Sequence, residues 1–292
     1  MLDEATAIAF LEGENGIEKV KSEPLAVAGL KTTIAALKMS LSDTEGAETL
    51  LKECEEMLNA QHGVTPTHVA YYRVTALLKQ QKMEFAAYYT EALRFLGCVT
   101  LDDLSVEEKA ARAFDLGLAA LLGKGIYNVG ELLAHPVLDA LRDTDKQWLV
   151  DLLYAMNSGD VEKFESTKPM WSSKSPDLAA NEALLLEKFQ LLAVMEAVFQ
   201  RGTKERTISF ATLAAAAQVP GNKIELLVMK ALSKGLVKGT INQIAEAVEF
   251  SWVEPRVLDT EQLGTMRDRL GEWLVAVETG ASMMQDGELT SA

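Results

Sequence analysis

The three histidines and two cysteines are the side chains in this sequence whose types most often carry catalysis or metal binding. They are His62, His68, His135, Cys54 and Cys98. No histidine lies at a metal-ligand spacing from another histidine or cysteine, and the catalytic partners that a nucleophile needs are missing around them. Cys54 falls on the apolar side of an amphipathic segment, and Cys98 has no basic neighbour that would activate its thiol. The sequence therefore predicts no catalytic residue, no metal site and no cofactor.

Two other segments contain residue types that occur in ligand-binding loops. Gly123, Gly125 and Gly130 in LLGKGIYNVGE fail the spacings of dinucleotide-binding and phosphate-binding loops, and they follow a helix-like segment where those loops follow a strand. Asp143 and Asp145 precede a helical segment, where acidic side chains usually cap the helix and favour its dipole. We interpret the glycines as a structural turn and the acidic pair as a helix cap, and we expect the protein not to be an enzyme.

Composition and charge exclude further classes of function. The 292 residues carry a net charge of −15, with 48% hydrophobic and 24% charged residues, as is ordinary for a globular protein. Such a negative charge disfavours general affinity for nucleic acid or anionic membranes. No uncharged apolar stretch approaches the ~18 residues that a membrane span needs. The acidic N-terminus and the low cysteine content indicate an intracellular, reducing compartment.

Helix-length amphipathic segments recur with short breaks from the start of the chain to about residue 200. These segments would position most of the histidine and cysteine side chains. The predicted helices are 24–41, 44–61, 66–82, 84–98, 105–123, 146–157 and 177–200. The stretch KPMWSSKSPD is the clearest predicted break, and LLLEKFQLLAVMEAVF is apolar on nearly all sides, as expected of a covered helix. Helices of this length joined by short turns predict a mostly α fold, a right-handed solenoid of helical hairpins.

Strand signals occur only after residue 201, in RTISF, GLVKGTI and AVEFSWV. Between the first two lie ATLAAAA and a second helix that begins with a cap signal, Asn222 followed by Glu225. The predicted buried face of that second helix comprises Ile224, Leu227, Val228, Ala231 and Leu232. The order of strand, helix, turn, helix and hairpin predicts a winged helix, a shape that many DNA-binding proteins share.

The exposed face of the second helix argues against DNA recognition. Residues 205–257 carry six positive and five negative side chains, whereas a duplex-binding domain concentrates basic residues on one face. Base contacts require Arg, Asn or Gln, but the outward positions hold Leu226, Met229, Lys230 and Ser233. Exposed apolar side chains beside a lysine suit a protein partner. We therefore predict a protein interface at Leu226, Met229 and Lys230, to which an open sheet edge would add.

The C-terminal segment predicts a second protein interface. Five apolar residues are spaced three, four, three and four apart, which is the seam of a heptad pattern. They are Leu263, Met266, Leu270, Trp273 and Val277. About two heptads are too few to secure a coiled coil. Two arrangements stay open: a helix packed against its own winged domain, and a helix that bundles with helices of other chains.

Several long segments resemble one family of PCI-domain proteins. They are YYTEALRFLGCV, LGLAALLGKGIYNVGELLAHPVLDALRDTDKQWLVDLLYAMNSGDVEKF, PDLAANEALLLEKFQLLAVMEAVF, IELLVMKALSKGLVKGTINQ and WVEPRVLD. Together they cover most of residues 88–260 and are similar to the thirteenth non-ATPase subunit family of the proteasome regulatory particle. Residues 1–87 resemble that family more loosely, and its members extend further at the N-terminus.

The resemblance implies a non-catalytic structural and assembly subunit of the 26S proteasome lid, which supports ATP-dependent degradation of ubiquitinated proteins. In such lids the winged helices pack side by side and the C-terminal helices gather into a bundle. The implied partners are other PCI and MPN subunits, with no small-molecule substrate, and the implied location is cytoplasm and nucleus. The deubiquitinase of the lid belongs to a different subunit class, whose metal-binding histidine motif this sequence lacks.

The resemblance also suggests domain boundaries and leaves alternatives. We expect N-terminal helical repeats at 1–87, a PCI domain at 88–256 with its winged helix at 201–256, and a C-terminal helix and tail at 257–292. One alternative is a PCI scaffold subunit of the COP9 signalosome or of the translation initiation factor three complex. Others are a winged-helix regulator that binds nucleic acid and an enzyme with an unrecognised site.

Overall fold

The computed structural model describes residues 4–13, 16–61, 63–100, 104–201, 206–257 and 260–289, and most of these residues are helical. The α-helices are α1 (Glu4–Glu12), α2 (Pro24–Ser40), α3 (Thr44–Asn59), α4 (Pro66–Gln81), α5 (Phe85–Cys98), α6 (Val106–Leu122), α7 (Gly130–Ala134), α8 (Gln147–Ser158), α9 (Val161–Lys174), α10 (Pro176–Ala180), α11 (Glu182–Phe199), α12 (Phe210–Ala217), α13 (Gly221–Ser233) and α14 (Thr260–Leu289). Short 3₁₀ helices lie at Ile17–Val20 and Pro136–Leu141. The strands are β1 (Thr207–Ser209), β2 (Val237–Asn242) and β3 (Ala247–Val253). The chain divides into two compact units, Met1–Glu254 and Pro255–Ala292.

The helices of the first unit pack mainly on their neighbours in sequence, as α2 does on α3, α4 on α5, and α5 on α6. This local pairing is the arrangement expected of stacked helical hairpins, and the predicted fold class is confirmed. A small core lies among α2, α3 and α4, and it includes Ala28, Leu51 and Cys54. A larger core extends from Ala76 to Phe250, so the later helices and the winged helix share one apolar interior.

Six of the seven predicted helices form within two residues of their expected ends. The seventh prediction, one helix at 177–200, is wrong in one respect because the segment divides into α10 and α11. The break lies at Asn181, whose side-chain amide donates to the carbonyl oxygen of Asp177 at 2.9 Å. Asparagine side chains compete in this way with backbone hydrogen bonding, which favours a helix boundary.

The predicted break at KPMWSSKSPD falls at Ser175, between α9 and α10, although α9 first continues through Pro169 to Lys174. Proline inside a helix costs about 3 kcal/mol. The opposing contribution is aromatic burial: Phe164 and Trp171 of α9 are fully buried and stack with ring centroids 5.3 Å apart. Phe164 also packs against Phe189 of α11, with the two ring centroids 4.5 Å apart. A buried aromatic pair adds ~0.5–1.5 kcal/mol beyond its area term, so tertiary packing retains the helix across the proline.

The C-terminal part of the first unit is the predicted winged helix. Its antiparallel sheet has the order β1-β3-β2, with Ile208 opposite Val248 and Thr240 opposite Glu249. The register shifts between Lys238 and Gly239. A Cβ atom at Gly239 would lie 2.4 Å from the carbonyl oxygen of Glu249, so only glycine fits at this irregularity.

The second helix of the winged domain, α13, buries the predicted face. Ile224, Leu227, Val228 and Ala231 are buried, and Leu232 is half-buried. The predicted cap at Asn222 is wrong, because α13 begins at Gly221 after Pro220, which occupies the N-cap position. Proline fixes an extended backbone at that position, so the turn and not an asparagine side chain starts the helix.

Candidate protein interfaces

The exposed face of α13 presents two large apolar side chains one turn apart. Leu226 is 57% exposed and Met229 is 52% exposed, while the hydroxyl side chain of Ser233 continues the same stripe. Burying a large apolar side chain contributes ~1.5–3 kcal/mol. The structure thus leaves both side chains exposed, which is the condition that the predicted protein interface requires.

Lys230, the third residue predicted for this interface, already has a partner within the chain. Its Nζ lies 2.9 Å from a carboxylate oxygen of Glu187 on α11, and both side chains are partly exposed. The ion pair bridges the two walls of a groove of about 250 Å³ between α11 and α13. Leu186 and Gln190 of α11 line this groove opposite Leu226. These α11 positions could not be predicted from the sequence, because the segment is apolar on nearly all sides and shows no distinct face.

The sheet of the winged helix also offers an edge. β2 pairs with β3 on one side, and no described strand pairs with its other side. An unpaired edge can accept a strand from another chain. At the tip of the β2–β3 hairpin, Ile244 is fully exposed. Ile244 is the one large apolar residue of the turn NQIAEA, and this sequence signal could have added it to the predicted contact residues.

The second unit contains the described helix α14, and the predicted seam lies along it. The exposed fractions of the five seam side chains range from 49% to 68%. They are Leu263, Met266, Leu270, Trp273 and Val277. A single helix cannot cover its own apolar seam, so this unit by itself leaves the stripe open. Whether α14 packs within the chain or with partner helices stays a prediction.

The histidines that the structure describes act as backbone caps. Nδ1 of His68 accepts from the backbone N–H of Thr65 at 3.1 Å, which completes a capping box at the start of α4. Nδ1 of His135 accepts from the backbone N–H of Val137 at 3.1 Å. Burial lowers the pKa of His135, which favours the neutral ring that can accept. His62 lies outside the described residues.

Both cysteines lie in surroundings that disfavour the reactive thiolate. Cys54 is fully buried, and its Sγ lies 3.5 Å from the carbonyl oxygen of Ala28 and 3.8 Å from the Thr32 hydroxyl. Burial raises the pKa of Cys54, and burial likewise raises the pKa of Cys98. A thiolate is the nucleophilic form of cysteine, so neither thiol is activated. The interpretation of Cys54 as a core residue is confirmed.

The glycine and aspartate segments are structural as well. Gly125 has a φ of +84°, the left-handed turn conformation that glycine adopts without strain. The acidic pair, however, does not cap α8: the N-cap residue is Lys146, with no side-chain cap hydrogen bond. Instead, Oε1 of Gln147 accepts from the backbone N–H of Asp143 at 2.8 Å, and the Thr144 hydroxyl accepts from that of Lys146. The backbone N–H groups of this turn are thus satisfied by the neutral side chains of Gln147 and Thr144 and not by the two aspartates.

Two further observations concern the metal-ligand groups and the apolar length of the described helices. Within them, no group of three or more histidine, cysteine, aspartate or glutamate side chains is arranged to hold a metal ion. No described helix combines the length and apolar character that crossing a membrane requires. The arrangement as a whole presents apolar side chains, a groove and a strand edge, which are the features of contact surfaces between proteins.

Comparison with known proteins identifies two matching families. Residues 1–153 match the family described as PSD13 N-terminal repeats, and residues 173–252 match the PCI domain. A Schizosaccharomyces pombe protein named probable 26S proteasome regulatory subunit rpn9 is 40% identical over 241 residues, which are 82% of this chain and 63% of that protein. The Arabidopsis thaliana 26S proteasome non-ATPase regulatory subunit 13 homolog B is 34% identical over 288 residues, 95% of this chain and 74% of that protein.

A more distant relative belongs to another complex. A Neosartorya fischeri protein named eukaryotic translation initiation factor 3 subunit M is 25% identical over 192 residues, which are 65% of this chain and 41% of that protein. Both identity and coverage are higher for the two proteasome relatives. The chain spans 63% and 74% of the lengths of those two proteins.

Proposed function

The chain belongs to the family of 26S proteasome regulatory subunit 13, and from this membership we propose that it is a structural and assembly subunit of the proteasome lid. In that role it supports the ATP-dependent degradation of ubiquitinated proteins. The observation that carries the proposal is the match of the repeat family to residues 1–153, followed by a PCI domain at 173–252. Higher similarity to proteasome subunits than to an initiation-factor subunit favours the lid over the other PCI complexes.

The proposed partners are other PCI and MPN subunits of the lid, and the proposed contacts are the surfaces described above. On the winged helix they are Leu226, Met229 and the groove beside them, with Lys230 holding one wall of that groove through Glu187. On α14 they are the five residues of the seam. These side chains are apolar and exposed, and such positions gain most when a partner covers them.

We propose that the subunit has no catalytic activity, requires no cofactor and works in the cytoplasm and nucleus with the rest of the lid. The proposed lack of catalytic activity is supported by the capping roles of His68 and His135 and by the unactivated thiols of Cys54 and Cys98. For its domains we propose helical repeats at 1–87, a PCI domain at 88–256 and an assembly helix at 257–292. Specific binding of nucleic acid is not part of the proposal, because Leu226 and Met229 occupy the positions where base-reading side chains would stand.

Depletion of the protein from its own cells, followed by native gel electrophoresis of proteasomes, tests this role. We expect fewer core particles capped by complete regulatory particles, together with accumulation of ubiquitin conjugates, because an absent structural subunit weakens the lid. Re-expression of the full chain should restore both, whereas unchanged capping and unchanged conjugate levels after depletion would refute the proposal.

A further inference from the structure

A second pocket of the first unit differs from the apolar groove in its charge. It has a volume of about 290 Å³ and lies where the turn after α6, the helix α11 and the end of α13 meet. Three lysines from these three elements line it: Lys124, Lys188 and Lys234. Tyr127 forms part of the wall, with its ring centroid 5.9 Å from Nζ of Lys234.

The positive charge of this pocket is not balanced within the described residues. Lys124 and Lys234 are exposed, and neither forms an ion pair with a described carboxylate. The one acidic residue of the lining, Glu187, is already paired with Lys230 at 2.9 Å. On a chain with a net charge of −15, a pocket lined by three lysines, none of which is paired with a described carboxylate, is a local exception that attracts anions.

Lys188 gives the pocket a buried amino group that is held in a fixed position. Its side chain is only 3% exposed, and Nζ donates to the carbonyl oxygens of Ala120 and Leu121 at 2.9 and 2.8 Å. These carbonyls belong to the last turn of α6, where acceptors lack helical partners. An ammonium group has three N–H donors, and two are used here. The carbonyls hold Nζ in place, but they supply dipoles and no counter-charge, and burial of an unpaired ammonium is costly.

We propose that this pocket binds an oxyanion, a phosphate or carboxylate group, held by Lys188 from within and by Lys124 and Lys234 at the rim. Ion-paired hydrogen bonds of this kind are about twice as strong as neutral ones. The oxyanion has two possible sources: a free phosphate-type anion, or the clustered carboxylates of an acidic segment on a partner protein. Because three separate elements line the pocket, a bound anion links the α6 turn to α11 and the winged helix.

Isothermal titration calorimetry on the full chain, at constant ionic strength with chloride as background, tests the proposal with two probes. The probes are inorganic phosphate and a hexaglutamate peptide, and we expect saturable binding of at least one with a stoichiometry near one. Phosphate binding alone identifies a free anion as the ligand, and peptide binding identifies partner carboxylates. The rim variant Lys124→Gln with Lys234→Gln should weaken binding at least tenfold and keep the fold, since both side chains are exposed.

The control variant, Lys19→Gln with Lys21→Gln, removes the same charge from exposed positions outside the pocket and should bind as the wild type does. Circular dichroism and thermal melts confirm that each variant is folded. Lys188→Met should abolish binding if that variant folds, but the rim variant decides the test without it. The proposal fails if neither probe saturates. It also fails if both double variants lose affinity equally, because the binding heat would then depend on the net charge of the protein and not on this pocket.

Discussion

Lys230 of α13 and Glu187 of α11 form an ion pair of 2.9 Å between the winged helix and the last long helix before it. The pair lies between two surfaces of different character. On one side is the groove beside Leu226, and on the other is the lysine-lined pocket that contains Lys188; Glu187 lines both. Exposed ion pairs contribute only ~0–1 kcal/mol, so this pair sets the geometry of the two surfaces more than the stability of the fold.

The winged-helix interface is testable with Lys230 and Glu187 both kept. Leu226→Glu combined with Met229→Glu should weaken association with an adjacent PCI subunit at least tenfold, because two apolar side chains of the proposed contact are replaced by charges. Helicity and melting temperature should change little, since both residues are exposed. Pull-down with purified neighbouring lid subunits measures the effect.

The control for this variant is Val64→Glu with Val106→Glu, which replaces two exposed apolar residues of the helical region that precedes the winged helix. This pair should leave association with the same neighbour intact. Equal capture of the neighbour by wild type and by the Leu226 and Met229 variant would exclude this face from the interface.

The seam of α14 is expected to act in assembly. Replacing Leu270 and Trp273 by alanine should prevent incorporation into the lid, because each buried apolar side chain contributes about 1.5–3 kcal/mol to association. If α14 packs only against helices of partner subunits, the same double change leaves the melting temperature of the free chain nearly unchanged. Thermal melts of the isolated subunit, run beside a co-expression assembly assay, provide both readings.

Val275→Ala with Met283→Ala is the matched control, because both residues are exposed on α14 but lie off the seam. This variant should assemble normally. A seam variant that loses thermal stability while still entering the lid would indicate a helix packed within its own chain.

The winged helix should not bind nucleic acid specifically. Residues 205–257 have a net charge near zero, and duplex affinity depends mainly on phosphate contacts from clustered basic residues. A gel-shift titration at physiological salt should therefore show no saturable complex below micromolar DNA. Tight binding that weakens steeply with added salt would contradict this expectation.

The buried position of Lys188 predicts an unusual dependence of stability on pH. Burial lowers the pKa of Lys188 to about 7 from the ordinary value of 10.5. Between these two values the unfolded chain binds more protons than the folded chain, so this group makes the free energy of unfolding rise with pH. Below about pH 7 both states carry the charge, and the full cost of burying it is present.

The difference in unfolding free energy between wild type and Lys188→Met isolates this contribution. It should be flat below about pH 6 and should shift in favour of the wild type by about 2–3 kcal/mol between pH 7 and pH 9, at 1.36 kcal/mol for each unit of pH. Urea unfolding at pH 6, 7.5 and 9 measures it. A difference that stays constant across these pH values would mean that Lys188 keeps an ordinary pKa in the folded protein.

The features that follow from local pattern were predictable from the sequence. The helical spacing of apolar residues located α2 to α6 and α8, and β-prone segments located all three strands of the winged helix. The differences from these predictions came from tertiary packing and side-chain competition. The stacking of Phe164 on Trp171 carries α9 across Pro169, and the side-chain hydrogen bond of Asn181 divides a helix that periodicity alone would continue.

Of the candidate surfaces, too, some were predictable from the sequence and one was not. Leu226, Met229 and the α14 seam follow from periodicity, because an apolar residue at an outward helical position is visible in the sequence. The lysine pocket was not predictable, because Lys124, Lys188 and Lys234 are separated in sequence and meet only through the packing of three elements. A lysine within an apolar helix gives no sign of which carbonyl oxygens its ammonium group will contact.

Affinity purification of the full chain from its own cells under non-denaturing conditions, with mass spectrometry of the co-purifying proteins, tests the central claim most directly. We predict that the PCI and MPN subunits of the proteasome lid co-purify in stoichiometric amounts, and that the Leu270 and Trp273 double variant loses them. Stoichiometric recovery of signalosome or initiation-factor subunits in their place, or recovery of the chain without lid subunits, would contradict the account.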